Sequence, residues 1–381
     1  MVVERLKAEV PGTSLPGRAS ILTGAAARDN GVYGNRLWDA RNGVFRYASP
    51  YDVRRDTLPR LAREAGLRSA SIGMGMVRPE DVDVFAHPWW VGSFVQRGRD
   101  AEPQPLESGW EAVAGHLDPT GELANAAATA GVPEQYDAID VADAGEAAMT
   151  GFLGDRRVAE WVGAVAAQER APELIVTELL MTDTIQHRSG YDTALSQWTT
   201  TVMDGLVAHV LARLRAAGRE DAYDVMVLSD HGHGTVEHAI RPDVLLPDDT
   251  FMSEGGLLHV VARDAATRRR VEAVLGEYGV APYPTTYLPT ELQSDLASFL
   301  APDGMSFEHD GEAREPVVPP SAVSSHGKRP GHPDDDRFMI LAGPSVASGV
   351  VPSAPAGAVA ATAAHLLGLA RERFDEPSLL T

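Results

Sequence analysis

The chain has 381 residues, 44% hydrophobic and 23% charged, a composition that gives a globular protein with a sizeable core. Its 33 basic and 54 acidic side chains leave a formal net charge of −21, so the surface repels nucleic acid and anionic membranes as bulk partners. With no cysteine there are no disulfides, no thiolate ligands and no cysteine nucleophile. With no signal peptide or membrane-spanning apolar run, the sequence as given reads as cytoplasmic.

In chain order, Val2, Val3, Leu6 and Val10 recur at helical spacing and predict a short amphipathic helix over residues 1–10. Residues 11–24 follow, Pro-Gly-Thr-Ser-Leu-Pro-Gly-Arg-Ala-Ser-Ile-Leu-Thr-Gly, with Ser14 two places before Pro16 and directly ahead of an apolar run. Proline favours the first turn of a helix, so Ser14 is expected at or just before a helix N-terminus. Free backbone N–H groups and the positive dipole end attract anions there. A hydroxyl in that place is either an ordinary N-cap or a nucleophile held against an anion hole.

The Gly- and Asn-rich residues 29–39 read as a loop, 57–65 as a helix and 67–73 as a strand. Residues 77–143 carry Pro, Gly and acidic side chains without clear periodicity, an expected insertion; Trp89 and Trp90 within it are read as core rather than rim. Regular alternation resumes with a helix over 144–170 and a buried strand over 173–180. A long helix follows, presenting Leu195, Trp198, Val202, Leu206, Val210 and Leu214 on one face and stopping at Gly218. Residues 224–228 and 338–342 read as further apolar strands, and 356–369 as an Ala-rich closing helix. Between 232 and 325 lies a second insertion, with a hairpin expected around 257–262. Strands alternating with helices predict one α/β domain, a mostly parallel central sheet with helices on both faces.

Candidate ligands stand where these strands end. Asp183 and His187, four apart, share one face of a helical turn. Asp230 and His231 close the 224–228 strand, and His326 precedes the 338–342 strand. Carboxylate with imidazole and no thiolate suits zinc or a similar divalent ion. His233 and His238 read as supporting or surface residues, and His332 as a rival to His326.

In that order, Ser14 to Gly24, Asn35, Asp183/His187, Asp230/His231 and His326-Gly327 resemble the motif set of the alkaline phosphatase superfamily. The type I phosphodiesterase/nucleotide pyrophosphatase branch, which includes phosphonoacetate hydrolase, is the nearest. The resemblance implies an alkaline phosphatase-like fold and a metal-dependent hydrolase of phosphoric esters or diesters, acting on a small anionic phosphoryl substrate. It further implies two divalent ions, zinc by the donor set. One would be held by Asp183, His187 and His326, the other by Asp230, His231 and the nucleophile Ser14. Asn35 matches the residue that hydrogen-bonds a phosphoryl oxygen. Two ions about 3.5–4 Å apart clamp an in-line displacement and lower the pKa of the attacking hydroxyl.

Two departures qualify the resemblance. Ser14-Leu-Pro-Gly-Arg18 also fits the Ser/Cys-x-Pro-x-Arg pattern of sulfatases, which convert that Ser or Cys to formylglycine; the presence of Asp183, His187 and His326 ranks that reading second. A C–P hydrolase of the phosphonoacetate type and an inactive binding relative stay open beside it. The family also places a buried strand ending in Asp-Gly ahead of the nucleophile, whose Asp ligates the second ion. Here no Asp precedes Ser14, and Glu4 and Glu9 fall in the expected helix. The expectation is a natural start upstream of Met1.

Overall fold

The structure, a computed structural model, describes residues 1–8, 10–100, 109–132, 146–309 and 314–380. Glu9 and the parts of the first expected insertion at 101–108 and 133–143 lie outside the described residues.

Two sheets carry the site. Strands Val84–Ala86, Ser69–Ile72 and Leu174–Thr177 form a parallel sheet in that order. The helix Glu146–Ala166 packs on it, burying Val158, Val162 and Val165 with Ala70 and Ile72. In the second sheet Val225–Leu228 pairs antiparallel with Arg337–Ala342, which pairs antiparallel with Val2–Lys7. Val350–Val351 and Ala354–Pro355 add to the far edge of Val2–Lys7 in parallel. The fold is thus mixed α/β, and only part of its sheet is parallel. The antiparallel step has a simple origin. Residues 232–325 leave from the end of Val225–Leu228 and return to that same end, where the His231 and His326 rings lie 4.4 Å apart. A strand re-entering where its neighbour left must run the other way, whereas a parallel neighbour needs a crossover.

Residues 2–7 are a strand rather than the expected helix. Val2 pairs with Ile340, Val3 with Met339 and Leu6 with Arg337, with a bulge between Val3 and Leu6. The bulge lets residues three apart share a face, so Val3 and Leu6 are fully buried against Met339, Leu341 and Val359 while Val2 is 41% exposed. β-branched residues favour this conformation. The chain therefore enters the Ser14 segment from a strand paired on both edges. Among the described residues, Leu174–Thr177 and Val225–Leu228 each carry a ladder on one edge only, and their side chains are mostly partly buried.

The remaining expectations divide. Helices Leu58–Glu64, Glu146–Ala166, Ala194–Ala216 and Ala358–Leu366 stand near the expected bounds. Residues 29–39 contain the end of a short helix, Ala27–Asn30, and a strand, Arg36–Asp39, paired with Val44–Tyr47. The segment 77–143 supplies the strand Val84–Ala86 and the helices Val91–Arg99, Trp110–Ala114 and Glu122–Thr129. Trp90 is buried there, 5.1 Å from the Trp110 ring, while Trp89 is only partly buried and its indole N–H donates to Asp155. Residues 232–325 build a separate antiparallel sheet in which Phe251–Glu254 and Leu257–Val261 form a hairpin closed at Gly255, φ 56°. Helix Ala265–Gly276 covers that sheet with Val271 and Leu275. Among the described residues no helix is long and apolar enough to cross a membrane.

Candidate active site

Ser14 is the first residue of helix Ser14–Thr23, after an extended Thr13, and Pro16 is the third. The helix start is as expected, with Pro16 later in the first turn than the sequence suggested. The N-terminal turn is held from two sides. Leu15 N–H donates to Asn35 Oδ1 at 2.8 Å, and the backbone N–H groups of Asn35 and Arg36 donate to the Glu254 carboxylate, each at 2.8 Å. Burial pushes the Glu254 carboxyl up to about 7 despite these donors. The helix also lies close against the Val225–Leu228 strand end. A Cβ on Gly17 would stand 2.3 Å from the Asp230 carbonyl oxygen, so only glycine fits.

The other elements bring a cluster of imidazoles to this helix start. Ser14 Oγ lies 3.1 Å from His231 Nε2, and His231 Nδ1 lies 3.1 Å from the Gly232 carbonyl oxygen. An Nδ1–H donated to that carbonyl leaves Nε2 free to accept from Ser14. Asp183 Oδ1 stands 3.4 Å from His187 Nε2, 3.2 Å from His233 Nε2 and 3.7 Å from His231 Nε2. Asp183 and His187 share a face of helix Met181–Ser189, as the i, i+4 spacing required. The rings of His187 and His326 are 5.1 Å apart.

Ser324 orients two of these rings. Its carbonyl accepts from His187 Nδ1 at 2.9 Å, and its hydroxyl lies 2.7 Å from His233 Nδ1. Both contacts turn Nε2 toward Asp183, the outer support that metal-binding histidines characteristically have. Strand pairing of Ser324–Ser325 with Gly234–Thr235 places Ser324 there. His233, which sequence reasoning put outside the ligand set, is therefore a full member of the cluster; its alternation with His231 in Asp-His-Gly-His was the available signal. Ser324 carried none. His238 lies exposed on a strand, and His332 faces Asp303 at 3.2 Å, away from the cluster.

Protonation follows from burial and neighbours. Burial raises the Asp183 carboxyl, but hydrogen bonds from His187 and His233 outweigh it and hold it well below the usual range. Burial and the neighbouring His231 and His187 drive His326 well below the ordinary imidazole value, so it is neutral. Its Nδ1 is buried without a hydrogen-bond partner. A neutral buried imidazole with an orphaned nitrogen beside a carboxylate is a donor set that fits a divalent ion. Among the described residues, two groups have their donor atoms within 4.8 Å of one another: Asp183, His187 and His233, and Asp183, His231 and His326.

Asp230 is placed differently. Its Oδ2 lies 3.4 Å from Arg18 Nε and its Oδ1 3.9 Å from His231 Nε2. Arg18, one turn along the same helix from Ser14, is buried and also pairs with Glu178 at 2.8 Å. Glu178 in turn accepts from Gly75 N–H at 3.1 Å and from the Trp90 indole N–H at 2.6 Å. Of the residues singled out in the sequence, Ser14, Asp183, His187, His231 and His326 converge on one site. Asn35 stands behind the Ser14 turn, and Asp230 lies between His231 and Arg18.

Residues 1–310 match the type I phosphodiesterase/nucleotide pyrophosphatase family. Among curated proteins no relative matches. The whole chain superposes on 89% of an inactive murine ectonucleotide pyrophosphatase/phosphodiesterase 5 solved with AMP, at 12% identity and a TM-score of 0.66. It likewise superposes on 88% of the human ectonucleotide pyrophosphatase/phosphodiesterase 5, at 11% identity and a TM-score of 0.65.

Proposed function

Because the chain belongs to the type I phosphodiesterase/nucleotide pyrophosphatase family, we propose that it hydrolyses phosphoric esters or diesters in a metal-dependent reaction with Ser14 as the nucleophile. The observation that carries this reading is the Ser14–His231 contact beside the Asp183 cluster. A hydroxyl, its proton acceptor and a converging carboxylate–imidazole group meet at one helix N-terminus.

Ser14 Oγ attacks phosphorus as its proton passes to His231 Nε2, whose tautomer is set by the Gly232 carbonyl. The leaving oxygen departs on the face opposite Ser14 and takes a proton from solvent; water then attacks the phosphoseryl group from that face, losing a proton to solvent, as His231 returns its proton to Ser14 Oγ. The first N–H groups of helix Ser14–Thr23 and the Asn35 amide, tied to Leu15 N–H, form the anion-binding end of the site. A divalent ion held by Asp183, His187 and His326, with His231 and His233 beside it, would supply positive charge that stabilises the phosphoryl group in the transition state. That charge matters in a chain of net charge −21. The family and the bound AMP of a structural relative favour a nucleotide-like phosphodiester as the substrate class.

The test is turnover of aryl phosphomonoester, phosphodiester, phosphonate and sulfate ester substrates by metal-loaded protein, with and without a strong chelator. Phosphodiester hydrolysis abolished by chelation is expected. Undiminished turnover in chelator overturns the mechanism, and sulfate ester turnover with formylglycine at position 14 moves the chain to the sulfatases.

A further inference from the structure

We propose that the Arg18 guanidinium is the resident cation on the Ser14 side of the site. It occupies Asp230 in place of a second divalent ion, so that the chain retains one ion, at Asp183. The inference rests on the metal-dependent reading above and revises the number of ions that the sequence implies.

The donors are unevenly divided. Both groups close enough to surround an ion contain Asp183, and among the described residues neither contains Asp230. His231, which would have to serve the second ion, points Nε2 between Ser14 Oγ at 3.1 Å and Asp183 Oδ1 at 3.7 Å. It therefore belongs equally to the Asp183 group. Without it, Ser14 and Asp230 are the donors that the described residues leave on that side.

Asp230 shares the Arg18 charge with Glu178: Arg18 Nε lies 2.8 Å from Glu178 and 3.4 Å from Asp230 Oδ2, which has no hydrogen-bond partner. A guanidinium stays charged at every pH a protein tolerates. A divalent ion on Asp230 would sit within a few ångströms of that fixed positive charge, in a site where water screens little.

Arg18 is built into this place. It is 6% exposed, lies over the Trp90 ring at 5.5 Å and pairs with Glu178 at 2.8 Å. The Trp90 and Gly75 N–H donors fix Glu178 in turn. The i, i+4 spacing from Ser14 puts the guanidinium on the nucleophile's side of the helix. Arg18 thus acts as a positioning residue, holding Asp230 against the floor of the site.

The experiment is metal stoichiometry, read by equilibrium dialysis of the full chain against Zn2+. Wild type should retain one equivalent. Asp230→Asn should also retain one, and Asp183→Asn should lose it. Arg18→Met frees two carboxylates, Asp230 and Glu178, and should raise the retained metal to two equivalents, while Arg18→Lys should stay at one. Two equivalents in wild type, or loss of metal in Asp230→Asn, overturns the inference and leaves the metal-dependent reading standing. No metal in wild type overturns that reading instead. Arg18→Met that keeps its near-ultraviolet circular dichroism but holds one equivalent also overturns the inference. If Arg18→Met does not fold, wild type and Asp230→Asn still decide.

Discussion

Ser14 Oγ and His231 Nε2 lie 3.1 Å apart across 217 residues of chain. The contact joins the start of one helix to the turn after a strand that enters from elsewhere, and it makes Ser14 the hydroxyl with a proton acceptor. Ser14→Ala should therefore lower turnover by more than ~10³-fold, as deletion of a nucleophile does. Acid quenching of wild type during turnover should leave a phosphoryl group on the peptide carrying Ser14, seen by mass spectrometry. An adduct on Thr13, or substantial turnover in Ser14→Ala, would sink the assignment.

Asp183 is the centre of the imidazole cluster, so its loss should matter most for metal retention. Asp183→Ala combined with His326→Ala should abolish retained metal in elemental analysis of the purified protein. His233→Ala should weaken binding by roughly 10–100-fold, the range seen when a supporting residue is removed, or more if it ligates directly. Near-stoichiometric metal in the double variant would reject the site, and unchanged affinity in His233→Ala would remove His233 from it.

Much of this site was legible because its chemistry is local in sequence. Asp183 and His187 sit at helical spacing, and Asp230-His231 closes a strand whose apolar run is plain. The place of His233 beside Asp183 is not legible in the sequence, because it depends on Ser324, 91 residues away, turning its ring. Glu254 gave no signal at all, since it reaches Asn35 and Arg36 from a hairpin more than 200 residues downstream. In the fold, long helices were readable from their period, while residues 2–7 were not. A bulge gives a strand the same three-residue spacing of buried side chains that one helical turn gives.

Glu254 should make stability depend on pH. In the folded chain its carboxyl holds a proton up to about pH 7, whereas unfolded it lets go near 4.5. Between those values the folded state binds more protons, so this residue's contribution to stability falls as pH rises. Glu254→Gln cannot ionise. Wild type should lose stability relative to the variant by up to about 3 kcal/mol between about pH 4.5 and 7.5, at roughly 1.4 kcal/mol per unit. Urea denaturation of both proteins across that range measures the difference. A constant gap between them would show that the carboxyl is not the source.

The N-terminal strand can be separated from a helix by two substitutions. In a helix Val2 and Leu6 share a face and would cost similar amounts when shortened. In the strand Leu6 is fully buried and Val2 is 41% exposed. Leu6→Ala should then cost about 2–5 kcal/mol, and Val2→Ala less than about 1 kcal/mol. Comparable losses in thermal or denaturant unfolding would favour the helix.

Gly17 sets the distance between helix Ser14–Thr23 and the Asp230–His231 turn. Any Cβ there would fall 2.3 Å from the Asp230 carbonyl oxygen, a backbone atom that no rotamer change can move aside. Gly17→Ala must therefore push the helix away from the strand end, carrying Ser14 off His231. A displacement of about 1 Å at a reacting group can cost on the order of 10²-fold in rate, so kcat should fall by that order. The Asp183 cluster is built on other elements, so retained metal should be unchanged. Stability should drop by about 1–3 kcal/mol, the usual cost of overpacking. Gly205 is the control: it lies within helix Ala194–Ala216 and an added Cβ meets nothing within 4 Å. Gly205→Ala should raise stability by up to about 1 kcal/mol, because alanine is the better helix former, with turnover intact. If Gly17→Ala keeps full activity, the close approach does not position the nucleophile.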